Sequence, residues 1–171
     1  MMIRILSAAE FETQIPRLAE ILGDAVDSGA GVSFMKPVLP DVAQDFWRGQ
    51  LTGIAAHATF PIVAEIDGTL AGVVLLMRAW APNQPHRSDV AKLLVHRNFR
   101  RRGVASALMK ALEDKARGLK QTLITFDAVA NSPASAFYES LGFICVGTYP
   151  AYAYSGDGKL DDTAMFYKDL N

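Results

Sequence analysis

The chain has a single cysteine, Cys145, so no internal disulfide can form. That cysteine lies in an apolar run and reads as a small buried hydrophobe rather than a nucleophile. Net charge is also scarce. A value of −1 leaves no general basic face for nucleic acid, despite the local cluster Arg97, Arg100, Arg101 and Arg102. No apolar run reaches the length of a membrane span and the start carries no secretory pattern, so a cytoplasmic protein is expected. His, Cys and Asp residues nowhere fall at metal-ligand spacing, and no metal is expected. Repeats, low-complexity tracts and interdomain linkers are lacking too, so residues 1–171 are expected to form one domain.

Half of the residues are hydrophobic, enough for a substantial core. Met2 to Leu6 reads as a short strand, followed by a capping box at Ser7-x-x-Glu10 and a helical stripe of Phe11, Ile15, Leu18, Ala19 and Leu22. Pro16 predicts a kink, or a main helix beginning near it. Asp27 to Pro40 reads as a loop, and Asp41-x-x-Gln44 as a second capping box before a stripe of Val42, Phe46, Trp47, Leu51 and Ile54. Such a loop between helices suits a lid over a second substrate, with Phe34, Met35 and Trp47 either lining it or buried in the core.

Phe60–Ile66 and Thr69–Met77 are strands joined by the turn Asp67-Gly68, and Gly72 marks a bulge or a close backbone approach. A later strand runs from Gln121 to Phe126 and ends at Asp127. Ser132-Pro133 starts a short helix that Gly142 ends. Phe143–Tyr154 and Leu160–Tyr167 form a final hairpin around Ser155–Lys159. This order of elements predicts an α/β fold: a mixed, mostly antiparallel sheet with helices on both faces.

The stretch from Asp89 to Ala116 organises the rest. Val90, Leu93, Leu94 and Val95 suit a buried strand, and Val104, Leu108, Ala111, Leu112 and Ala116 mark one face of a helix. Between them lies Arg100-Arg101-Arg102-Gly103-Val104-Ala105. A helix start presents unpaired N–H groups and partial positive charge. Gly103 lets a ligand approach the backbone, Ala105 and Ser106 keep the next positions small, and the arginines add charge. A pyrophosphate is the ligand this arrangement suits. Neither the Walker loop nor the three-glycine dinucleotide fingerprint fits the spacing.

Arg100-x-x-Gly103-x-Ala105, between an apolar strand and an amphipathic helix, resembles the acyl-CoA loop of the GNAT N-acetyltransferase superfamily. A second block follows, with Asn131-Ser132-Pro133-Ala134, Phe137-Tyr138-Glu139 and Leu141-Gly142-Phe143, and it is similar to that family's Asn…Ala…Tyr…Gly-Phe block. The resemblance covers about residues 60 to 170, and Gly29 to Met35 looks like the branch containing the tabtoxin-resistance acetyltransferase.

The resemblance implies a seven-stranded GNAT acyl-CoA N-acyltransferase fold with a splay between the strands at Asp89–Val95 and Gln121–Phe126. It implies acetyl-CoA as co-substrate, with backbone of Leu93, Leu94 and Val95 on the pantetheine arm and acyl oxygen, and Arg101, Arg102, Gly103, Val104, Ala105 and Ser106 on the pyrophosphate. Arg100 would close the loop, Asn131 would bond the cofactor arm, and Tyr138 would protonate the leaving thiolate, or else serve only as a core aromatic. It also implies a possible homodimer.

Transfer to an amine requires that the amine lose a proton, since an alkylammonium of pKa about 10 has no lone pair to attack with. Asp89 and Asp127 are the candidate acids at the splay, for binding an ammonium or taking its proton; solvated strand-end carboxylates are the alternative. His86 and His96 flank the same strand and read as surface residues. Three functions follow: acetyl transfer to a small amine, acetyl transfer to a protein amine, or acyl-CoA sensing without turnover. Binding of nucleic acid through the arginines fits least.

Overall fold

In the computed structural model, which describes residues 1–171, the order is β1 (Met2–Ile5), α1 (Ala8–Asp27), α2 (Pro40–Arg48), α3 (Leu51–Ala55), β2 (Thr59–Ile66), β3 (Thr69–Arg78) and β4 (Arg87–Val95). A single 3₁₀ turn at Arg97–Phe99 then leads to α4 (Val104–Gly118), β5 (Leu123–Val129), α5 (Pro133–Ser140), β6 (Ile144–Tyr154) and β7 (Leu160–Asp169). The strands form one seven-stranded sheet in the order β1-β2-β3-β4-β5-β7-β6. Every neighbouring pair is antiparallel except β4 and β5. No helix is long and apolar enough to cross a membrane.

Side-chain alternation along β3 divides the core in two. Val74 and Leu76 face a layer completed by Leu108, Met109 and Leu112 of α4 and by the aromatic residues Phe126, Tyr138, Phe143 and Phe166. Val73 and Leu75 face Phe11, Leu18 and Leu22 of α1 and Trp47 of α2. Full burial of each such leucine contributes roughly 1.5–3 kcal/mol, so both helical layers are held by the sheet.

Local chemistry accounts for the helix ends. Ser7 and Glu10 form the reciprocal capping box, and the Ser132 hydroxyl caps α5 with Pro133 behind it. Helix α1 runs unbroken through Pro16. The second capping box does not form: α2 starts at Pro40 after Leu39, and the Asp41 carboxylate accepts from the N–H of Val42 instead. Proline already lacks the N–H that a cap would satisfy, so the start moves forward. Asp67 and Gly68 both have positive φ, as a tight hairpin turn requires.

Two more expectations are corrected. β5 continues to Val129, which puts Asp127 within a paired strand opposite Met165 rather than at a strand end. Cys145 is exposed, because β6 is the edge strand and both its faces meet solvent.

Candidate active site

β4 and β5 pair only at Arg87–Leu123, Ser88–Ile124 and Asp89–Thr125. Beyond Asp89 the strands part, and the inner edge of β4 from Val90 onward has no neighbouring strand. Opposite, β4 keeps pairing with β3 but its register slips by one residue between the Leu75–Ala91 and Val73–Leu94 pairs. Lys92 sits in this bulge with φ of 52°. Gly72 permits the close approach on that side, since a Cβ there would lie 2.7 Å from the Leu94 carbonyl oxygen. The result is a strand edge with free backbone groups, which an extended ligand can use as a sheet partner.

The open end of the split leads to the start of α4. Gly103 is the N-cap, with φ of 75° and open space where a Cβ would stand. No side chain caps the helix, so its first N–H groups stay free. Arg101 and Arg102 are exposed and pair with no carboxylate; the Arg102 guanidinium lies over the Phe99 ring. Arg100 turns back instead, donating to the Val95 carbonyl at 3.0 Å and to Asp24 at 3.1 Å.

Asp24, on α1, is buried and also accepts from the Arg97 guanidinium and, at 2.9 Å, from the Arg97 backbone N–H. Burial pushes its carboxyl up, but the side-chain and backbone bonds from Arg97, with the positive charge of that guanidinium, outweigh this, and the net shift is downward. One buried carboxylate therefore pins the approach to the helix start. The sequence signal for Asp24 was a lone acid among the apolar positions Leu22, Ala25 and Val26.

Tyr138 packs in the α4–α5 layer, its ring centroid 4.4 Å from that of Phe126, while its hydroxyl has no protein partner. Burial first, and the negative field of Asp127 second, raise its pKa to about 12. The phenol thus stays protonated at neutral pH, as a hydrogen-bond donor must. Asp127 is exposed, without an ion-pair or hydrogen-bond partner, two residues past the last β4–β5 pair. Asp89 is committed: its carboxylate pairs with Arg87 and accepts from the Thr125 hydroxyl at 2.5 Å. His86 is exposed, and His96 caps the 3₁₀ turn by accepting from the N–H of Asn98.

The segment from Gly29 to Leu39 roofs the opposite face of the split. A Cβ on Gly31 would collide with the Val129 side chain of β5. The Lys36 N–H donates to the Gly156 carbonyl at 3.1 Å, and its ammonium pairs with Asp157 at 2.9 Å, fixing the segment to the β6–β7 turn. Phe34 packs edge-on against Phe46, Met35 is exposed, and Trp47 is fully buried. Lys92, unremarked in the sequence reading, points under this roof. The signal was a charge inside the apolar run Val90–Val95.

Asn131 has φ of 54° and lines a groove of about 340 Å³ between α5 and the β6–β7 hairpin, with Ser135, Glu139 and Cys145. None of its lining residues comes from β4 or α4, so the groove is not the split itself, and its size does not make it the chemical centre.

Residues 30–143 match the acetyltransferase (GNAT) family. An uncharacterized N-acetyltransferase encoded in an intergenic region of Azospirillum brasilense is 27% identical over 112 residues, a match spanning 64% of this chain and 65% of that protein. Among solved structures, a ribosomal-protein-alanine N-acetyltransferase from Brucella melitensis superposes with a TM-score of 0.81 at 22% identity, covering 99% of both chains. The Salmonella typhimurium protein yncA, solved with its cofactor acetyl-CoA, gives 0.80 at 19% identity, covering 100% of this chain and 94% of that one. At such identities the structures speak for the shared fold.

Proposed function

The chain belongs to the acetyltransferase (GNAT) family, and on that footing we propose that it moves an acetyl group from acetyl-CoA to the amine of a small molecule, by direct attack in a ternary complex. The observation that carries this reading is the split beyond Asp89, with a free helix start at its open end and Tyr138 and Asp127 near its apex.

Acetyl-CoA, when bound, supplies an activated thioester. Its pyrophosphate fits the free N–H groups of Val104, Ala105 and Ser106, beside Gly103 and the unpaired Arg101 and Arg102. The unpaired edge of β4 at Leu93, Leu94 and Val95 offers backbone groups to the pantetheine arm and the acyl oxygen, although the Val95 carbonyl already accepts from Arg100. Asn131, whose amide has no protein partner, is free to bond the same arm.

Asp127 holds the acceptor's ammonium and takes one proton from it, directly or through water. The freed amine then attacks the thioester carbon, the C–N bond forms, the C–S bond breaks, and the nitrogen's second proton passes to the departing thiolate or to solvent. Tyr138 donates a hydrogen bond to the departing sulfur. With a pKa of about 12 against about 8.5 for an ordinary thiol, complete proton transfer from the phenol is uphill by roughly 5 kcal/mol. Tyr138 therefore stabilises the developing thiolate and keeps its own proton. Asp89 secures the last rung of the split and supports any proton path by fixing Thr125 and Arg87.

The roof formed by residues 29–39 favours a small acceptor over a protein chain, because its contacts to Val129, Gly156 and Asp157 close that face to an extended polypeptide. The likeness of Gly29–Met35 to the tabtoxin-resistance branch supports the same choice. Thiol release from acetyl-CoA across a panel of small amines and N-terminal peptides tests the reading. Release driven by small amines supports it. Release driven by peptides alone transfers the reaction to protein substrates, and tight acetyl-CoA binding with no release identifies a sensor.

A further inference from the structure

Lys92 is an ammonium placed in the acceptor side of the split, and the reaction described above does not use it. The bulge in β4 and the φ of 52° turn this residue out of the strand's alternation, toward the roof rather than toward α4. Its Nζ lies 5.1 Å from the centroid of Phe46 and 5.7 Å from that of Phe34, and donates to the Val32 carbonyl at 3.0 Å. That is one hydrogen bond for a group with three N–H donors. No carboxylate pairs with it, although it lies within the field of Asp127.

Half-burying an ammonium costs solvation, and the aromatic faces and one carbonyl recover only part of that cost. Burial accordingly lowers its pKa, with Asp127 opposing the shift. The two acids of the split are also balanced. Arg87 neutralises Asp89, and Lys92 faces Asp127. The cleft is therefore not a purely anionic slot for a polycation. It presents one free carboxylate and one free ammonium on the face where the acceptor enters.

Resting on the proposed acetyl transfer, we infer that Lys92 is a specificity-determining residue that binds an anionic group on the acceptor, so that the preferred substrates are amines carrying a carboxylate or similar acidic group. Asp127 takes the amine end and Lys92 the acidic end. A ligand anion supplies the missing acceptors for the two idle N–H donors, and a charge-assisted bond in a partly dry site is stronger than one in water. The competing role for Lys92 is a latch that merely ties Val32 and Phe34 to β4.

Matched amines separate these roles: lysine against cadaverine, β-alanine against ethylamine, and γ-aminobutyrate against propylamine. Each is titrated into the protein saturated with CoA, by calorimetry, and assayed for thiol release with acetyl-CoA. At least one acid-bearing member should bind tenfold or more tightly than its partner. Lys92→Met should abolish that preference through KM while changing the less acidic partner less than twofold, and Lys92→Arg should restore part of it. An equal loss for both members of each pair, or no acid-bearing amine outbinding its partner in the wild type, overturns the inference in favour of a latch. The calorimetric arm decides this even if no thiol is released, in which case the transfer reading fails separately. Thermal melts of each variant exclude simple unfolding.

Discussion

The Thr125 hydroxyl donates to the Asp89 carboxylate at 2.5 Å across the last rung that β4 and β5 share. Arg87 grips the same carboxylate oxygen from within β4, so Asp89 closes the apex of the split while Asp127, two residues beyond that rung, stays free. Two acids that look equivalent in the sequence thus have different duties.

Asp89→Asn is expected to act mainly on stability. The ion pair is partly exposed, so its loss costs about 1 kcal/mol, which lowers the melting temperature of a chain this size by roughly 2–4 °C. Asp127→Asn should leave melting unchanged and lower kcat by about 10²-fold or more, with loss of the acidic limb of the pH–rate profile. Melting curves and steady-state kinetics on both variants check the division. A change confined to KM in Asp127→Asn would make it an anchor rather than a proton acceptor.

Tyr138 should ionise late, at a pH near 12. Its folded pKa of about 12 exceeds the ordinary value near 10, so the fold favours the protonated phenol, and stability falls as pH rises from about 10 through 12. Ultraviolet titration of wild type and Tyr138→Phe should differ by one late component. Because Asp127 contributes to the shift, Asp127→Asn should move that component downward. Tyr138→Phe should also lower turnover with acetyl-CoA affinity intact.

Gly103→Val should weaken acetyl-CoA binding at least tenfold. The space beside Gly103 is open in the protein, so the added side chain obstructs ligand rather than packing; the left-handed backbone adds a strain of roughly 1–2 kcal/mol. Calorimetry measures the first effect and thermal melting the second. Unchanged affinity would remove this helix start from the site.

Asp24 offers a test remote from the acyl group. Its carboxyl is depressed, so the stability it contributes is present above the ordinary aspartate pKa and is lost as pH falls through the lowered one. Asp24→Asn should cost about 1.5–3 kcal/mol near neutral pH, fading in acid, and should weaken acetyl-CoA binding by loosening Arg97 and Arg100. Denaturant melts at several pH values follow the first effect.

Much of this arrangement was legible because it rests on short-range chemistry. The Asp67-Gly68 turn, the Ser7 and Ser132 caps and the Gly103 helix start are each written in a few adjacent residues. Thr69–Met77 was legible as a strand, and the structure buries it on both faces. What escaped depends on contacts distant in sequence. Asp24 meets Arg97 only after α1 folds across the sheet, and Lys92 meets Phe34 and Phe46 only because β4 bulges. Cys145 was misjudged for the same reason, since an apolar strand reveals its edge position only once its neighbours are known.

The central claim is that both substrates occupy the split together. Initial rates measured while varying acetyl-CoA and the best small amine of the panel test it most directly. The account predicts double-reciprocal lines that intersect, with no acetyl group on the protein by intact mass. Parallel lines together with an acetylated protein would contradict direct transfer, and with it the roles given to Asp127 and Tyr138.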